Sequence, residues 1–369
     1  MKIYTDELMR FAWGTDASFY RMVPTRVFRT ENEEDVSAIL REAYRTGTPV
    51  TFRAAGTSLS GQSLTDSWLV VAGKNWEKYS ISPDASHITM QPGLVGARVD
   101  QILAPLGRTF TPDPASKSSA MVGGIVMNNA SGMSCGTHAN SDQELESLRI
   151  VMADGTVLDT GSDVSRKAFA QSHPGFVKSI EDLRDRVMAD EELVSRIRRK
   201  YSIKCVTGLN IYPFVRYTDP FDIIAHLMVG SEGTLGFASE FTMRTGHLSP
   251  FKASAMLYFA SMRRACEAVV EMKKGPVHCA ELLDKKSLES VNDNTGKNLT
   301  AVLIQTFADS QDELDANIAA INKILEPYEL YVPAKFTSDP REYGKYWAIR
   351  SGIFPMVGGM RKQGTTCLI

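Results

Sequence analysis

The chain has 369 residues, of which 43% are apolar and 23% charged, and 41 basic against 43 acidic side chains leave a net charge of −2. These values describe a globular protein of about two or three domains and give no electrostatic case for nucleic acid or an anionic membrane surface. No run approaches the ~18 apolar residues of a membrane span, and the start, MKIYTDELMRF, carries acids and lacks the apolar core of a signal peptide.

The five cysteines (Cys135, Cys205, Cys266, Cys279, Cys367) form no C-x-x-C, and the six histidines show no ligand-like spacing. Reduced, buried thiols in a cytoplasmic protein are expected, with no disulfide frame and no metal site.

In chain order, residues 16–24 have no clear period. Thr30 stands three residues before Glu33, which predicts a capping box. Val36, Ile39, Leu40 and Ala43 then share one helical face, which Gly47 and Pro49 terminate. Strands are predicted at 50–52, 69–72 and 87–91, then a Pro92-Gly93 turn. A helix follows through Val99, Ile102, Leu103 and Leu106, closed by Gly107. Residues 111–137, TPDPASKSSAMVGGIVMNNASGMSCGT, have few charges and neither helical nor strand period, and read as an ordered loop packed against a ligand. Segments 145–152 and 157–159 flank Ala153-Asp154-Gly155-Thr156 as a hairpin. Residues 162–200 read as a charged, mostly helical insertion whose basic run, Arg196, Arg198, Arg199 and Lys200, is a solvated helix end. An apolar segment at 222–229 enters a second glycine-rich turn, GSEGTLG, and a strand runs to Met243.

The pattern changes at Ser249-Pro250. Strands at 253–259, 277–283 and 301–307, an extended stretch at 329–336 and two intervening helices predict a second domain with a ferredoxin-like sheet. Residues 341–350 read as helix. The last residues, GTTCLI, read as a strand cut short, so a fragment of a longer chain is expected.

The chain is organised around residues 49–63, PVTFRAAGTSLSGQS. Arg53 leads the loop, Gly56 and Gly61 bend it, and Thr57, Ser58, Ser60 and Ser63 bring hydroxyls. Small side chains allow backbone N–H groups to turn together toward one anion. No Gly-Lys-Ser/Thr follows, so this is not a Walker A loop, and no G-x-G-x-x-G opens a helix.

Four segments in register are RAAGTSLSG (53–61), PDPASK–MVGG–NNASG (112–132), ESLRIVMADGTVL (146–158) and MVGSEGTLG (228–236). Together they resemble the FAD-binding domain of the vanillyl-alcohol-oxidase or PCMH type, and within it the bacterial FAD-linked D-lactate and D-2-hydroxyacid dehydrogenases, including the glycolate oxidase FAD subunit. The opening TDASFYRMVP resembles long members that also carry an iron–sulfur region. The resemblance covers nearly the whole chain. It implies an α+β fold: a two-subdomain PCMH-type FAD-binding domain at 1–249 (subdomains about 1–75 and 76–249), a ferredoxin-like antiparallel cap at 250–340 that sets substrate choice, and a return segment at 341–369.

The resemblance further implies FAD, expected here as non-covalent; covalent flavin occurs in the superfamily and stays open, with Cys135 and His138 within range in the sequence but matching no linkage motif. Arg53, Ala54, Ala55, Gly56, Thr57, Ser58, Leu59, Ser60 and Gly61 match the diphosphate loop, which binds through its amides. Pro112 and Asp113 match a turn near the isoalloxazine. Gly123, Gly124, Asn128, Asn129, Ser131 and Gly132 match the stretch along the flavin and ribityl chain. Val151 stands where a backbone contact to adenine is implied, and Glu232 and Gly233 match a turn beside the cofactor. Ala54 or Ala55 and Ser131 occupy positions where the family often has glycine; they are the smallest replacements. Trp347-Ala348-Ile349-Arg350 resembles a W-x-x-R element whose arginine holds a substrate carboxylate, a task suited to the planar guanidinium fork. The family's base lies in a His-rich metal site that has no counterpart before Ile369, so catalytic incompleteness is expected. The implied activity is FAD-dependent oxidation of a D-2-hydroxy acid of the D-lactate, glycolate or D-2-hydroxyglutarate class. A sugar or lactone oxidase and an FAD-binding electron-transfer subunit without substrate chemistry stay open. The implied partners are the small hydroxy acid and an electron acceptor or iron–sulfur region outside this chain.

Overall fold

A computed structural model describes residues 1–132, 135, 138–291, 298–360 and 362. The chain forms two compact units, Met1–His247 and Leu248–Ile369.

The first unit begins with β1 (Lys2–Tyr4), α1 (Glu7–Ala12), β2 (Arg26–Arg29), α2 (Glu33–Thr46), β3 (Val50–Arg53) and β4 (Trp68–Val71). The strands form a sheet of order β1-β2-β4-β3. Both β2 and β3 run parallel to β4, while β1 pairs antiparallel with β2. Parallel neighbours need a crossover, and α2 supplies the one from β2 to β3. Its one apolar face, Val36, Ile39 and Leu40, packs with Phe28, Val70 and Trp76. Gly47, at φ +65°, ends it in the left-handed conformation.

The cap of α2 differs from the one predicted. Asn32 is the N-cap, its Oδ1 accepting from the Asp35 amide at 2.9 Å. Thr30 is instead buried. Its hydroxyl donates to the Val71 carbonyl at 3.2 Å and accepts from the Trp76 indole N–H at 3.1 Å.

The unit continues with β5 (Tyr79–Ile81), β6 (His87–Met90), α3 (Gly96–Leu103), β7 (Arg108–Thr109), α4 (Val122–Met127), α5 (Ser141–Glu144), β8 (Leu145–Val151) and β9 (Val157–Asp159). Helices α6 (Asp163–Ser172), α7 (Pro174–Ala189), α8 (Glu191–Tyr201), α9 (Pro213–Arg216) and α10 (Pro220–Met228) follow, then β10 (Phe237–Arg244) and β11 (Gly246–His247). A second sheet has the order β5-β6-β10-β8-β9 and is antiparallel throughout. Alternate strand residues such as Met90, Leu148, Ile150 and Phe241 face a core shared with α4 and α10. Arg149 on β8 reaches Glu33 at the start of α2 through two bonds of 2.6 and 2.8 Å, which ties the two sheets together.

Residues 111–137, expected as a loop, contain α4. The sequence VGGIVM shows no helical period because the glycines offer no side chain and the other positions are all apolar. Val122, Ile125 and Val126 are at most 2% exposed.

The second unit contains β12 (Phe251–Phe259), α11 (Met262–Met272), β13 (Cys279–Leu283), α12 (Lys285–Ser290), β14 (Thr300–Ala308), α13 (Gln311–Leu325) and α14 (Pro340–Met360). The sheet is antiparallel with order β12-β14-β13. Ala265, Met272, Ile321 and Leu325 of α11 and α13 cover one face, against Leu257 and Ile304. Tyr346, Trp347 and Ile349 of α14 pack with Met256, Leu283 and Leu303 on a separate cluster. The extended stretch 329–336 does not become a strand. Its amide at Tyr331 donates to Tyr258 at 2.8 Å and Thr337 bridges Ser254, so it follows the free edge of β12. Pro333 lies between and has no N–H with which to continue a ladder.

Two thiols depart from the expectation of burial: Cys266 is exposed and Cys205 half-buried. Cys367 and the predicted terminal strand GTTCLI lie outside the described residues. Among the described residues no helix is long and apolar enough to cross a membrane.

The capping geometry predicts that Asn32→Ala lowers the unfolding free energy by about 1 kcal/mol in urea titrations. It also speeds hydrogen exchange at the Asp35 amide, whereas Thr30→Ala leaves that amide's exchange relative to global unfolding unchanged.

Candidate functional site

The loop at 53–61 leaves the carboxyl end of β3, where open parallel sheets place ligands. Gly56 and Gly61 have φ of +71° and +77°. The loop rests on its own first side chain. Arg53 folds back beneath Gly56 and donates Nη1 hydrogens to the carbonyls of Trp13, at 3.3 Å, and Thr15, at 2.7 Å. A Cβ on Gly56 would stand 2.5 Å from Arg53 Nη2. Burial holds the Arg53 pKa below its ordinary value, with Asp16 opposing. The Ala17 amide donates to the Gly56 carbonyl at 3.0 Å, and the Ser63 hydroxyl to Asp16 at 3.0 Å. Ser58 is not a free donor, because its hydroxyl bonds Gln62. Among the described residues nothing accepts from the amides of Ala55, Gly56, Thr57, Ser58 or Leu59. These amides stand over a half-buried guanidinium, and unpaired N–H groups beside a cation are the donors that an anion site needs.

Three further segments converge on this loop. Gly124 lies on the exposed side of α4, with Ala54 Cβ as its nearest neighbour at 4.0 Å. Asn128, one turn on, is also exposed and donates from Nδ2 to Glu232 Oε1 at 2.6 Å. Gly123 faces the other way, where a Cβ would stand 2.7 Å from Pro92. At Gly132 a Cβ would stand 1.8 Å from the Asp113 carbonyl oxygen, so the turn at Pro112 and Asp113 lies directly against the end of the 122–132 stretch. The turn at 230–233 carries Gly230, Glu232 and Gly233 at φ of +89°, +56° and +77°. Gly233 abuts Phe52 of β3, 3.3 Å from a Cβ position, and the Glu232 amide donates to the Met127 carbonyl at 2.9 Å.

Two of the non-glycine residues in the left-handed region, Asn129 and Glu232, thus belong to adjoining turns. Such strain persists where neighbours over-determine it, and it gathers at functional sites. Burial pushes the Glu232 carboxyl above the ordinary carboxylic range, only partly countered by the Asn128 hydrogen bond.

Val151 is different. It is fully buried on β8, paired with Val157 and Phe237, so its side chain belongs to the core. Arg350 belongs to the second unit. It sits on α14 and donates from Nε to Glu281 Oε2 at 2.7 Å.

A buried polar network behind Asn129 escaped sequence reasoning. The Asn129 side-chain Oδ1 accepts from the Asp142 backbone amide at 3.1 Å. The Asp142 carboxylate meets Asn210 Nδ2 at 3.0 Å and His226 Nδ1 at 2.8 Å. Its members lie 68 and 84 residues apart in the chain, and no spacing signals them. Five buried side-chain polar atoms lack a partner among the described residues. Four of them, Arg53 Nε, Thr111 Oγ1, Ser131 Oγ and Ser231 Oγ, fall on or beside the converging segments. Buried polar atoms are rarely left unpaired, and four of these five gather on the segments just described.

Two glycines predict separable outcomes. Gly132→Ala forces apart two backbones and costs about 1–3 kcal/mol in denaturant unfolding. Gly124→Leu projects from the exposed side of α4 and leaves stability close to parental while removing ligand retention. Glu232→Gln tests the electrostatics. A raised carboxyl pKa contributes stability at low pH that disappears as pH rises through the folded-state value. The variant therefore matches the parent in acid and gains on it as pH rises to neutrality, as read from urea midpoints.

The family described as FAD binding domain matches residues 24–161, and the family of FAD linked oxidases, C-terminal domain, matches residues 248–369. Over 364 residues the chain is 26% identical to glycolate oxidase subunit GlcD of Escherichia coli (strain K12), covering 96% of this chain and 62% of that protein. It is 24% identical over 309 residues to D-2-hydroxyglutarate dehydrogenase of Pantoea ananatis, covering 82% and 30%. It is 24% identical over 265 residues to D-lactate dehydrogenase of Archaeoglobus fulgidus, covering 71% and 48%. The chain thus spans at most 62% of the length of these three relatives. The solved structure of alkyldihydroxyacetonephosphate synthase shares the fold, with a TM-score of 0.64 at 14% identity over 97% of this chain and 62% of that one. Each compact unit thus carries one family match, an FAD binding domain at residues 24–161 in the first and the C-terminal domain of the FAD linked oxidases at residues 248–369 in the second.

Proposed function

We propose that FAD lies along the four converging segments of the first unit and that the chain serves the oxidation of a 2-hydroxy acid. The FAD placement rests on the fit of the residues present. The free amides of 55–59 suit a diphosphate, and the orphaned hydroxyls of Thr111, Ser131 and Ser231 suit the polar edges of a flavin and its ribityl chain. The exposed side of α4, bare at Gly124 and polar at Asn128, leaves room for a planar ring. When bound, the flavin supplies a two-electron hydride acceptor.

The substrate class rests on one observation, the arrangement at Arg350. Its Nε is committed to Glu281, which holds the guanidinium in one orientation. Glu281 is its only ion-pair partner among the described residues, so the two Nη groups stay available for a bidentate carboxylate. The relatives named above, glycolate oxidase subunit, D-2-hydroxyglutarate dehydrogenase and D-lactate dehydrogenase, share a 2-hydroxy acid in their names, and that likeness supports the same class here.

The test is an anaerobic titration of the flavin-loaded protein with glycolate, D-lactate and D-2-hydroxyglutarate. At least one acid perturbs or bleaches the visible flavin spectrum. Arg350→Met weakens its binding about 10- to 100-fold, the loss of a charged hydrogen bond, with flavin content unchanged. Response to a sugar lactone and to no acid would establish sugar oxidation in its place. A stable flavin that answers to neither would leave an electron-transfer role.

A further inference from the structure

The last turn of α8 and the segment after it form an apolar groove of about 600 Å³. Ile197 lies in the groove, and Ile203, Leu209 and Ile211 are 64%, 52% and 42% exposed. Arg196, Arg199 and Lys200 line the same groove, and none of them pairs with a carboxylate among the described residues. A basic helix end alone is explained by the helix dipole. Three unpaired cations beside a concave, aliphatic surface are not.

The far side of this segment is fixed. Between the exposed Leu209 and Ile211, Asn210 points inward, 2% exposed, and bonds Asp142. The Ile211 amide donates to the Tyr201 hydroxyl at 3.1 Å, and Tyr201 stacks on Tyr212. A Cβ on Gly230 would stand 3.5 Å from both the Gly208 carbonyl oxygen and Asn129 Cβ, so the back of the groove touches two turns of the candidate FAD site. A surface rigidly keyed on one side and apolar on the other is built to receive something.

We propose that this groove is a docking site for an acidic, amphipathic segment of a partner protein. The concave shape favours an inserted segment over a flat lipid surface, and the unpaired cations select acidic residues flanking its apolar stripe. Seated there, the partner covers the outer side of the segment whose Gly208 and Asn210 pack inward against Gly230. This inference is independent of the substrate reading.

The probe is a fluorescein-labelled peptide of about 15 residues with Leu at i, i+3, i+4 and i+7 and Glu on the flanks, titrated by anisotropy against the flavin-loaded protein. Binding is expected, weakening as salt rises. The double charge reversal R199E/K200E and the single change Leu209→Asp each weaken it about tenfold or more, with circular dichroism and flavin content unchanged. Arg198→Glu, on the same helix but outside the groove, has a smaller effect. On the unmodified protein the peptide slows alkylation of Cys205, which lines the groove, and not of Cys266 in the second unit. Equal binding of a Lys-substituted peptide, or Cys205 alkylation indifferent to the acidic peptide, would overturn the proposal. So would binding to phosphatidylserine vesicles by a protein that ignores the peptide, which would make the patch a lipid contact.

Discussion

Two turns in strained backbone conformations hold each other in place, and the candidate site depends on that embrace. Asn128 gives its amide hydrogen to the Glu232 carboxyl at 2.6 Å, and Met127 gives its carbonyl to the Glu232 amide at 2.9 Å. Each non-glycine residue at positive φ costs about 1–3 kcal/mol, a cost borne only when the surroundings fix it from several directions. Asn129 is fixed by Asp142 and by the close approach of Gly230, and the 230–233 turn by Phe52. The clamp therefore joins the first, mixed sheet, through β3, to the antiparallel sheet, through α4 and α10. Its carboxyl is half-buried and raised in pKa by that burial, so the joint carries an electrostatic bias as well as a steric one.

The second unit applies a simpler scheme to its cation. Trp347 is an apolar anchor on the cluster around Leu283 and Leu303, and Arg350 follows three residues later on the same side of α14. Glu281, on the neighbouring strand β13, then restricts the guanidinium. Packing sets where the charge stands, and one ion pair sets which way it faces.

Much of this was legible in the sequence, and the limits have physical causes. The glycine-rich segments stood out in the sequence because close backbone approach demands small residues, and Gly132 against Asp113 shows that demand at its most severe. Helix α2 was legible because one face only is apolar. Helix α4 was not, since a helix buried nearly all round, with two glycines, has no contrast to display. The cap was misplaced by two residues because Thr30 and Asn32 both look like caps until a tertiary bond to Trp76 claims one of them. Two-residue strands such as β7 and β11 exist only through each other. The Asp142, Asn210 and His226 network is likewise a product of folding alone. The sequence also could not show what the Arg53 side chain does, because its hydrogen bonds go backward to carbonyls about forty residues earlier.

That backward reach of Arg53 bears on where this protein can be divided. The family match begins at residue 24, yet the loop it contains is propped by Trp13 and Thr15, tethered by Ala17 and braced by Asp16. The matched domain and the mechanical part have different edges. A piece cut where the domain match begins would keep every residue of the loop and lose the floor on which it stands, leaving a half-buried guanidinium with no carbonyl to meet it. What precedes the module is its foundation.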